Sequence, residues 1–326
     1  MAELNQYQRY LIEEFAEEYR EGRLSRRELL RRTVLITGSV TAAAAVLSAL
    51  GCTPSAAPAG PPASGTAAPA GTVAAARPTA TPVVGPEATV TPDDPAVQAR
   101  EVSFPGPAGT LSGYLARPAA PGSYPGVIVI HENMGLVPHI EEVTRRIAKV
   151  GFIALAPDLV SRAGGTKAMG DPARIAAALS QANPADLTAD LLTSLAWLKA
   201  QPGVQPNRFG AFGFCFGGGY TYRLALASPE IAAAVPFYGP APPLDQVPNL
   251  QGKIWAVYAG NDARINASIP ELEAAMKANG KYFSYQIFPG TAHGFHRTTD
   301  NPAHLEAAKE AWQKLVDFLT RELKGA

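Results

Sequence analysis

From residue 100 onward the chain alternates between two patterns of hydrophobic and polar positions. Short apolar runs, typical of buried strands, are followed by segments with apolar residues at helical spacing. The runs at 101–104 and 110–116, with Gly-Pro turn chemistry between them, predict an antiparallel hairpin. Strands that then alternate with helices indicate an α/β fold, with a mainly parallel sheet and helices on both faces. The further predicted strands are 127–130, 152–155, 208–213, 231–237, 253–259 and 282–288, and the predicted helices are 139–149, 217–227, 268–279 and 303–322, with others before residue 199.

The closing predicted helix carries an apolar stripe along one side. Its members recur at helical spacing and are Leu305, Ala308, Trp312, Leu315, Val316 and Leu319. A stripe of this kind normally faces the core of a globular domain. We therefore interpret it as packing against the sheet rather than as a surface for a partner.

The amino-terminal part follows a different pattern. Residues 5–23 predict a short charged helix, and residues 25–31 read Ser-Arg-Arg-Glu-Leu-Leu-Arg, close to the twin-arginine export motif. The uncharged run 33–51 is long enough to span a bilayer as a helix, but it is rich in Ala, Ser, Thr and Gly. Its weak hydrophobicity favours an export signal over a permanent anchor.

The uncharged run leads into Leu-Ser-Ala-Leu-Gly-Cys at residues 47–52, which is similar to a bacterial lipoprotein cleavage box. Ala49 stands where a leucine is usual. In this interpretation Cys52 receives lipid and becomes the new amino terminus. The alternative is a signal-anchor helix that is never cut. Either interpretation predicts export across the cytoplasmic membrane and attachment on its outer side.

Residues 53–99 consist mainly of Ala, Pro, Thr and Gly, with no aromatic side chain and very little charge. Such a segment cannot bury enough apolar surface to offset the entropy lost on ordering, so we predict a disordered linker. The chain is thereby divided into an export region, 1–52, the linker, 53–99, and one α/β domain, 100–326.

Charge and cysteine content narrow the possible functions. The 326-residue chain has 28 basic and 28 acidic residues. It is not basic enough to indicate nucleic-acid binding. Its two cysteines, Cys52 and Cys215, are expected to act separately, as a lipid anchor and a reactive thiol, without a disulfide. We expect a monomer that uses no cofactor.

Cys215 is the best candidate for a covalent catalyst. It lies in Gly-Phe-Cys-Phe-Gly at 213–217, after a predicted strand and before a predicted helix. In this pattern a sharp turn presents the central side chain, and small residues two positions to either side avoid collisions with the turn. The alternative is a buried cysteine that only packs as a small hydrophobe.

An elbow nucleophile of this kind needs an acid and a histidine later in the sequence, each beyond a strand end. Asp262 follows the apolar run 253–260, and His293 follows 282–290 by a short turn. Alone, Asp262 would be interpreted as a turn residue and His293 as a loop histidine. Their order after Cys215 favours a triad in which Asp262 fixes the His293 tautomer and His293 generates the thiolate.

With these motifs the sequence resembles the dienelactone hydrolase family over residues 100–322. The shared motifs are Gly-Phe-Cys-Phe-Gly-Gly at 213–218, His-Glu-Asn-Met-Gly-Leu at 131–136, Ala-Pro-Asp-Leu at 156–159 and His-Gly-Phe-His-Arg at 293–297. The resemblance implies an α/β-hydrolase fold and cleavage of an ester or lactone.

The resemblance also implies roles for residues around the triad. Glu132 matches the glutamate that contacts the resting nucleophile, where a carboxylate disfavours the thiolate until substrate displaces it; a solvated loop acid is the alternative. The oxyanion hole would consist of the backbone N–H groups of Phe216 and Asn133. Arg297 matches an arginine that binds the substrate carboxylate.

The family's second carboxylate-binding arginine has no clear counterpart, although Arg162 and Arg174 lie in the right region. Both belong to 161–185, a Gly-, Ala- and Pro-rich segment that we predict to be a lid or pocket rim. His131, His293 and His296 could suggest a metal site, but no Cys or acidic ligand spacing supports one, and we expect none. We predict that His296 lines the substrate pocket.

Three classes of function are compatible with these motifs. The leading hypothesis is a hydrolase that cleaves an ester or lactone through an acyl group on Cys215, with a broad carboxylesterase or thioesterase as a variant. The second is an extracytoplasmic binding protein that keeps the fold without turnover. The third is a cysteine peptidase, for which no peptide-binding subsite is evident. Fold alone does not choose among them.

Overall fold

The computed structural model describes residues 4–52, 89–297 and 301–325. The chain forms two compact units, Met1–Val83 and Val84–Ala326. Residues 53–88 of the predicted linker, 53–99, lie outside the described residues, and their disorder stays a prediction; residues 89–99 are ordered, which corrects that part of the prediction.

The amino-terminal unit contains three helices, α1 (Gln6–Arg20), α2 (Arg26–Thr37) and α3 (Val40–Ala49). Helix α1 packs on α2 and α2 packs on α3. Gly38, at φ 72°, ends α2, and the Ser39 side chain caps α3. The predicted uncharged run 33–51 therefore forms parts of two helices instead of one. Taken singly, no helix in the described ranges is long and apolar enough to cross a membrane; α2 and α3 pass that test together but are bent by 114°.

The second unit is built on an eight-stranded sheet with the order β1-β2-β4-β3-β5-β6-β7-β8. Its strands are β1 (Val97–Gly106), β2 (Gly109–Pro118), β3 (Tyr124–Ile130), β4 (Ile153–Pro157), β5 (Val204–Phe214), β6 (Ile231–Phe237), β7 (Lys253–Ala259) and β8 (Phe283–Phe288). Strands β1 and β2 pair antiparallel, as do β2 and β4, and all other neighbours are parallel. The predicted hairpin and parallel sheet are confirmed.

Helices cover the two faces of this sheet. They are α4 (Pro138–Lys149), α5 (Thr166–Met169), α6 (Pro172–Gln181), α7 (Pro184–Lys199), α8 (Phe216–Ala227), α9 (Ala263–Asn266), α10 (Ile269–Ala278) and α11 (Pro302–Lys324). On β5, a Cβ at Gly210 would meet Leu319 of α11 at 2.9 Å. Phe209 points to the opposite face, because successive strand residues alternate. There its ring and Leu198 of α7 adjoin Gly126.

The predicted apolar stripe of the closing helix lies in the core. Of its members, Ala308, Trp312, Leu315, Val316 and Leu319 are buried, and Leu305 is half-buried. The Trp312 ring meets that of Phe212 edge-on, with 6.4 Å between their centroids. The prediction that the stripe packs against the sheet is therefore confirmed.

The predicted start of the α/β domain, residue 100, falls inside β1. Contacts with α4 extend the unit further upstream, because the Val90 N–H donates to Glu142 Oε1 at 3.1 Å and Arg145 Nε donates to the Val90 carbonyl at 2.7 Å. This part of the chain has too little hydrophobic periodicity to be recognised as structured. Its order comes from hydrogen bonds to α4.

The predicted lid, 161–185, forms a 3₁₀ turn followed by α5, α6 and the start of α7. The Arg162 guanidinium binds the buried carboxylate of Asp190 at 2.7 and 2.8 Å. Thr166 donates to Asp158 from its N–H at 2.7 Å and from its hydroxyl at 2.9 Å. The segment is thus anchored on either side of Gly164. Gly164 and its neighbours line a cleft of about 290 Å³ beside β1 and β2.

Candidate active site

Cys215 lies in the sharp turn between β5 and α8, as its glycine-flanked sequence predicts. Its backbone has φ 57° and ψ −121°, a conformation that costs on the order of 1–3 kcal/mol in an L-residue. A Cβ at Gly213 would approach the Gly217 carbonyl oxygen to 2.6 Å, and one at Gly217 would approach the Ile130 carbonyl oxygen to 2.4 Å. Only glycine fits at these two positions, and the turn places the thiol at the carboxyl edge of the sheet.

Asp262 and His293 are joined by a short hydrogen bond. Nδ1 of His293 donates to Oδ2 of Asp262 at 2.5 Å, and Oδ1 accepts from the Ile265 N–H at 3.3 Å. Burial disfavours ionisation of Asp262, but the hydrogen bond and charge of His293, together with the charge of Arg264, outweigh burial and lower the carboxyl pKa. The carboxylate therefore stays ionised and orients the imidazole.

Hydrogen bonds to backbone groups hold together the loops that carry Asp262 and His293. The Asn261 N–H donates to the Thr291 carbonyl at 2.8 Å, and the Thr291 hydroxyl donates to the Phe288 carbonyl at 2.8 Å. From α11, His304 Nε2 accepts from the Ala292 N–H at 3.2 Å. Since β7 and β8 are adjacent parallel strands, residues that follow their carboxyl ends meet at the same edge.

The same edge brings His293 to the nucleophile candidate. A ring nitrogen of His293 and the Sγ of Cys215 lie within 4.8 Å of each other. Because Nδ1 of a neutral imidazole donates to Asp262, Nε2 is the nitrogen with acceptor character. All three side chains are buried. The three residues predicted to form a triad thus converge.

Glu132 and Arg297, which the resemblance implicates in two separate roles, form an ion pair. Glu132 follows β3 by two residues and is buried, and Nε of Arg297 lies 3.2 Å from its Oε1. Nη1 of Arg297 also approaches the Met134 sulfur at 4.0 Å. The guanidinium therefore has a carboxylate of the protein itself as an ionic partner. The implied contact between Glu132 and Cys215 stays a prediction.

The two predicted oxyanion-hole residues come from the elbow and from the loop after β3. Phe216 is the first residue of α8, and the leading N–H groups of a helix point out of its amino-terminal end. Asn133 lies in the loop after β3 and is buried. A helix amino terminus favours developing negative charge, so this position suits an oxyanion.

Tyr238 is a site residue that the sequence motifs did not reveal. It follows β6 directly, is fully buried, and has a positive φ of 35°. Its ring centroid lies 4.7 Å from that of His293, and its hydroxyl is hydrogen-bonded to Nδ1 of His296. A tyrosine at the end of an apolar strand run, at the edge where the other candidates emerge, was the available signal.

His296 is buried beside the triad. Its ring stacks on Phe214 with 3.8 Å between centroids and 4° between planes, and its Nε2 lies 3.1 Å from Nε2 of His139. Burial, then the charges of His139 and Arg297, hold the pKa of His296 well below its usual value. Both ring nitrogens are in hydrogen bonds within the protein. Its predicted contact with substrate stays a prediction.

The two arginines in the region of the predicted second carboxylate ligand differ in their surroundings, and that role stays a prediction for both. Arg162 is bound to Asp190, with Asp186 at 3.7 Å, and Arg174 is exposed on α6.

His131 uses both of its ring nitrogens in hydrogen bonds to the backbone. Its Nδ1 donates to the Glu132 carbonyl at 2.6 Å, and its Nε2 accepts from the Leu159 N–H at 3.0 Å.

Comparison with known proteins agrees with this architecture. The family model described as "Dienelactone hydrolase family" matches residues 111–323. A protein from Synechocystis sp. named "Putative carboxymethylenebutenolidase" is 35% identical over 241 residues, which cover 68% of this chain and 96% of that protein. A protein of the same name from Methylorubrum extorquens is 31% identical over 247 residues, covering 72% and 85%.

A solved structure gives the same result. The crystal structure of "Putative Dienelactone Hydrolase" from Klebsiella pneumoniae aligns with a TM-score of 0.63 and 30% identity, over 69% of this chain and 99% of that one. The matched family region includes the elbow and the loops described above, since it runs from β2 into α11. The chain therefore belongs to the dienelactone hydrolase family and is a hydrolase of that type with the α/β-hydrolase fold.

Proposed function

We propose that this protein cleaves a carboxylic ester or lactone through an acyl group on Cys215. The observation that supports the proposal is the convergence of three buried side chains: Asp262 on His293 at 2.5 Å, and a His293 nitrogen within 4.8 Å of the Cys215 sulfur. A thiol beside an imidazole that a carboxylate orients is the arrangement required for nucleophilic acyl transfer.

The reaction follows from the roles of these groups. Nε2 of His293 takes the thiol proton, and the thiolate attacks the substrate carbonyl carbon, whose oxygen becomes an oxyanion near the N–H groups of Phe216 and Asn133. The carbon–oxygen single bond then breaks, and the leaving oxygen takes the proton from His293. Water then gives a proton to His293 and attacks the thioester as hydroxide; the carbon–sulfur bond breaks, the acid is released, and the Cys215 thiolate takes the proton back from His293. In a lactone the leaving oxygen remains part of the product.

A substrate that carries a carboxylate, as a dienelactone does, fits the charge at this site best. Nε of Arg297 lies 3.2 Å from Oε1 of Glu132. A substrate carboxylate would compete with Glu132 for the same cation, as a bidentate partner. The competing proposal within this class is a broad carboxylesterase or thioesterase acting on neutral substrates. Turnover of matched acidic and neutral esters separates the two.

The decisive experiment replaces the nucleophile. Cys215→Ala should abolish hydrolysis of short aryl esters and of a dienelactone, and mass spectrometry of the unaltered protein with substrate should detect an acyl adduct on the peptide that contains Cys215. Cys52→Ser, the other cysteine of the chain, is the matched control and should retain activity. Full turnover by Cys215→Ala would refute the mechanism, and neither turnover nor adduct in the unaltered protein would favour a binding protein.

We also propose, from the sequence alone, that residues 1–52 direct export and attach a monomeric enzyme to the outer side of the cytoplasmic membrane. The support is the Ser-Arg-Arg motif and the cleavage-box-like sequence before Cys52. Arg26→Lys with Arg27→Lys should keep the protein in the cytoplasm, and Cys52→Ala should release it from the membrane fraction. Arg9→Lys is the matched control. Unchanged fractionation of both variants would contradict the proposal.

A further inference from the structure

Three polar rings form a hydrogen-bonded row that ends at the triad histidine. The Tyr238 hydroxyl is hydrogen-bonded to Nδ1 of His296, and Nε2 of His296 lies 3.1 Å from Nε2 of His139. At the other end, the Tyr238 ring lies against His293, with 4.7 Å between centroids. We refer to Tyr238, His296 and His139 as the ring row.

Three separate elements supply the ring row. Tyr238 follows β6, His296 is in the same loop as His293, and His139 is in the first turn of α4. The stacking of His296 on Phe214, at 3.8 Å between centroids, also connects the row to the residue before Cys215. The ring row therefore contacts His293 and also Phe214, which precedes Cys215. Through His139 it links both to α4, which lies outside the loops that carry the triad.

The ring row is electrically neutral near pH 7. Burial, then nearby arginines, lowers the pKa of His139 to about 4, and burial is also the largest cause that lowers the pKa of His296. Burial raises the pKa of the Tyr238 hydroxyl well above its usual value. The charged and titratable groups that face the row are Arg146, Arg297, Glu132, Asp262, Cys215 and His293.

Because the imidazoles of the ring row are neutral, the direction of its two hydrogen bonds is restricted. A neutral imidazole has one donor and one acceptor nitrogen, so both bonds must run in the same direction. If the Tyr238 hydroxyl donates to His296, then His296 must donate to His139. If His139 donates to His296, then His296 donates to the Tyr238 oxygen. Removal of one member therefore alters the bonding of the others, which is the property expected of a single positioning unit.

We propose that His296 and His139 are positioning residues that act through Tyr238 to hold the His293 imidazole in line with Cys215. Asp262 holds this ring at Nδ1 by a hydrogen bond, and the Tyr238 ring packs against it with 58° between the ring planes. A hydrogen bond and a ring contact together restrict the movement of the imidazole more than either one alone. The inference rests on the proposed function, because it assigns His293 as the base for Cys215.

The first test is a double-mutant cycle on turnover. His296→Phe keeps an aromatic ring to stack on Phe214 but deletes both hydrogen bonds, and Tyr238→Phe keeps the ring on His293 but deletes the hydroxyl. Each single variant should lower kcat about tenfold with KM little changed, as expected for a misplaced base. The double variant should lose no more than either single variant. Additive losses, or an unchanged kcat in the single variants, would overturn the proposal.

The second test uses rescue at the far end of the row. His139→Leu should lower kcat about as much as His296→Phe, whereas His139→Gln, whose amide can donate or accept, should recover most of the loss. Equal kcat values in the two His139 variants would overturn a hydrogen-bonding role.

Tyr222→Phe is the matched control for loss of a buried hydroxyl. It removes a hydroxyl bonded to Tyr258 at 2.8 Å, in a pair between α8 and β7. It should leave kcat unchanged, and an equal loss of kcat in this control would overturn the proposal by showing a general packing effect.

Cys215→Ala distinguishes failure of the ring-row proposal from failure of the proposed function. If Cys215→Ala is inactive while the row variants keep full kcat, only the row fails; if Cys215→Ala is active, the proposed function itself fails.

Discussion

Two buried aspartate–histidine pairs lie at the carboxyl edge of the same sheet, and they differ in their hydrogen bonds. Asp158 and His131 follow the neighbouring strands β4 and β3, while Asp262 and His293 follow β7 and β8. In the first pair the closest approach is 4.0 Å, between His131 Nε2 and Asp158 Oδ1. In the second pair the imidazole donates to the carboxylate at 2.5 Å.

The difference is in what the ring nitrogens bind. Both nitrogens of His131 bond to backbone groups, and Asp158 accepts from Thr166 twice and from the Val160 N–H. This pair fixes the loops after β3 and β4. In the second pair Nδ1 of His293 donates to Asp262, and a ring nitrogen of His293 lies within 4.8 Å of the Cys215 sulfur. A buried aspartate–histidine pair is thus a candidate for catalysis only when its geometry also includes a reactive group.

The largest expected effect compares the two aspartates. Asp262→Asn should lower kcat/KM on the order of 10³–10⁴-fold, because an amide does not stabilise the required His293 tautomer and its protonated form. Asp158→Asn should keep turnover within a few-fold and instead lower the free energy of unfolding by about 1–3 kcal/mol, because it disturbs buried hydrogen bonds. Steady-state kinetics and denaturant unfolding measure the two effects. Similar kinetic losses in both variants would contradict the distinction.

An intermediate loss of activity is expected when the ion pair between Glu132 and Arg297 is broken. This ion pair joins the loop of His131 to the loop of His293. Glu132 follows His131, and its partner Arg297 lies in the loop of His293. Arg297→Ala should lower kcat/KM for esters that carry a carboxylate by about 10–100-fold, the value of a charged hydrogen bond, and should affect matched neutral esters much less. Competition between acidic and neutral esters measures the ratio. Equal losses for both substrates would show that Arg297 serves only to hold Glu132.

The pH dependence of stability gives a comparison that does not depend on turnover. Burial lowers the pKa of His131, His139 and His296 from the ordinary value of 6.5, to about 4 for His139. Below about pH 6.5 the unfolded chain therefore binds protons that the folded protein does not, and stability should fall by about 1.4 kcal/mol per pH unit for each such proton.

Asp262 contributes in a different pH range. Its folded pKa lies below the usual 3.8, so its contribution is present above that value and is lost only as the pH falls through the folded pKa. Denaturant unfolding between pH 7 and pH 4.5 should thus report the histidines. His131→Leu should give a shallower pH slope than the unaltered protein, and an identical slope would show that His131 is not neutral in the folded state.

The sequence indicated much of the architecture because strands and helices have local hydrophobic periods. The apolar run 253–259 matches β7 in full, and the predicted helix 303–322 lies within α11. Two features lie outside the hydrophobic periodicity, although the Gly38-Ser39 pair is itself a local helix stop and start signal. Gly38 divides the uncharged run into α2 and α3, and Val90 is ordered by hydrogen bonds to α4. The first break is set by local capping residues, whereas the second depends on long-range hydrogen bonds that the sequence pattern does not show.

By itself, the sequence determined the elbow at Cys215 and the order of the acid and histidine after it, because the turn requires glycine at fixed spacing and the strands are apolar. Only the tertiary structure decided which aspartate–histidine pair lies beside the thiol, that Arg297 binds Glu132, and that His296 is joined to Tyr238 and His139. The physical reason is that these contacts depend on sheet order. Strand β3 lies between β4 and β5, and β7 lies between β6 and β8, so residues far apart in the chain meet at one edge.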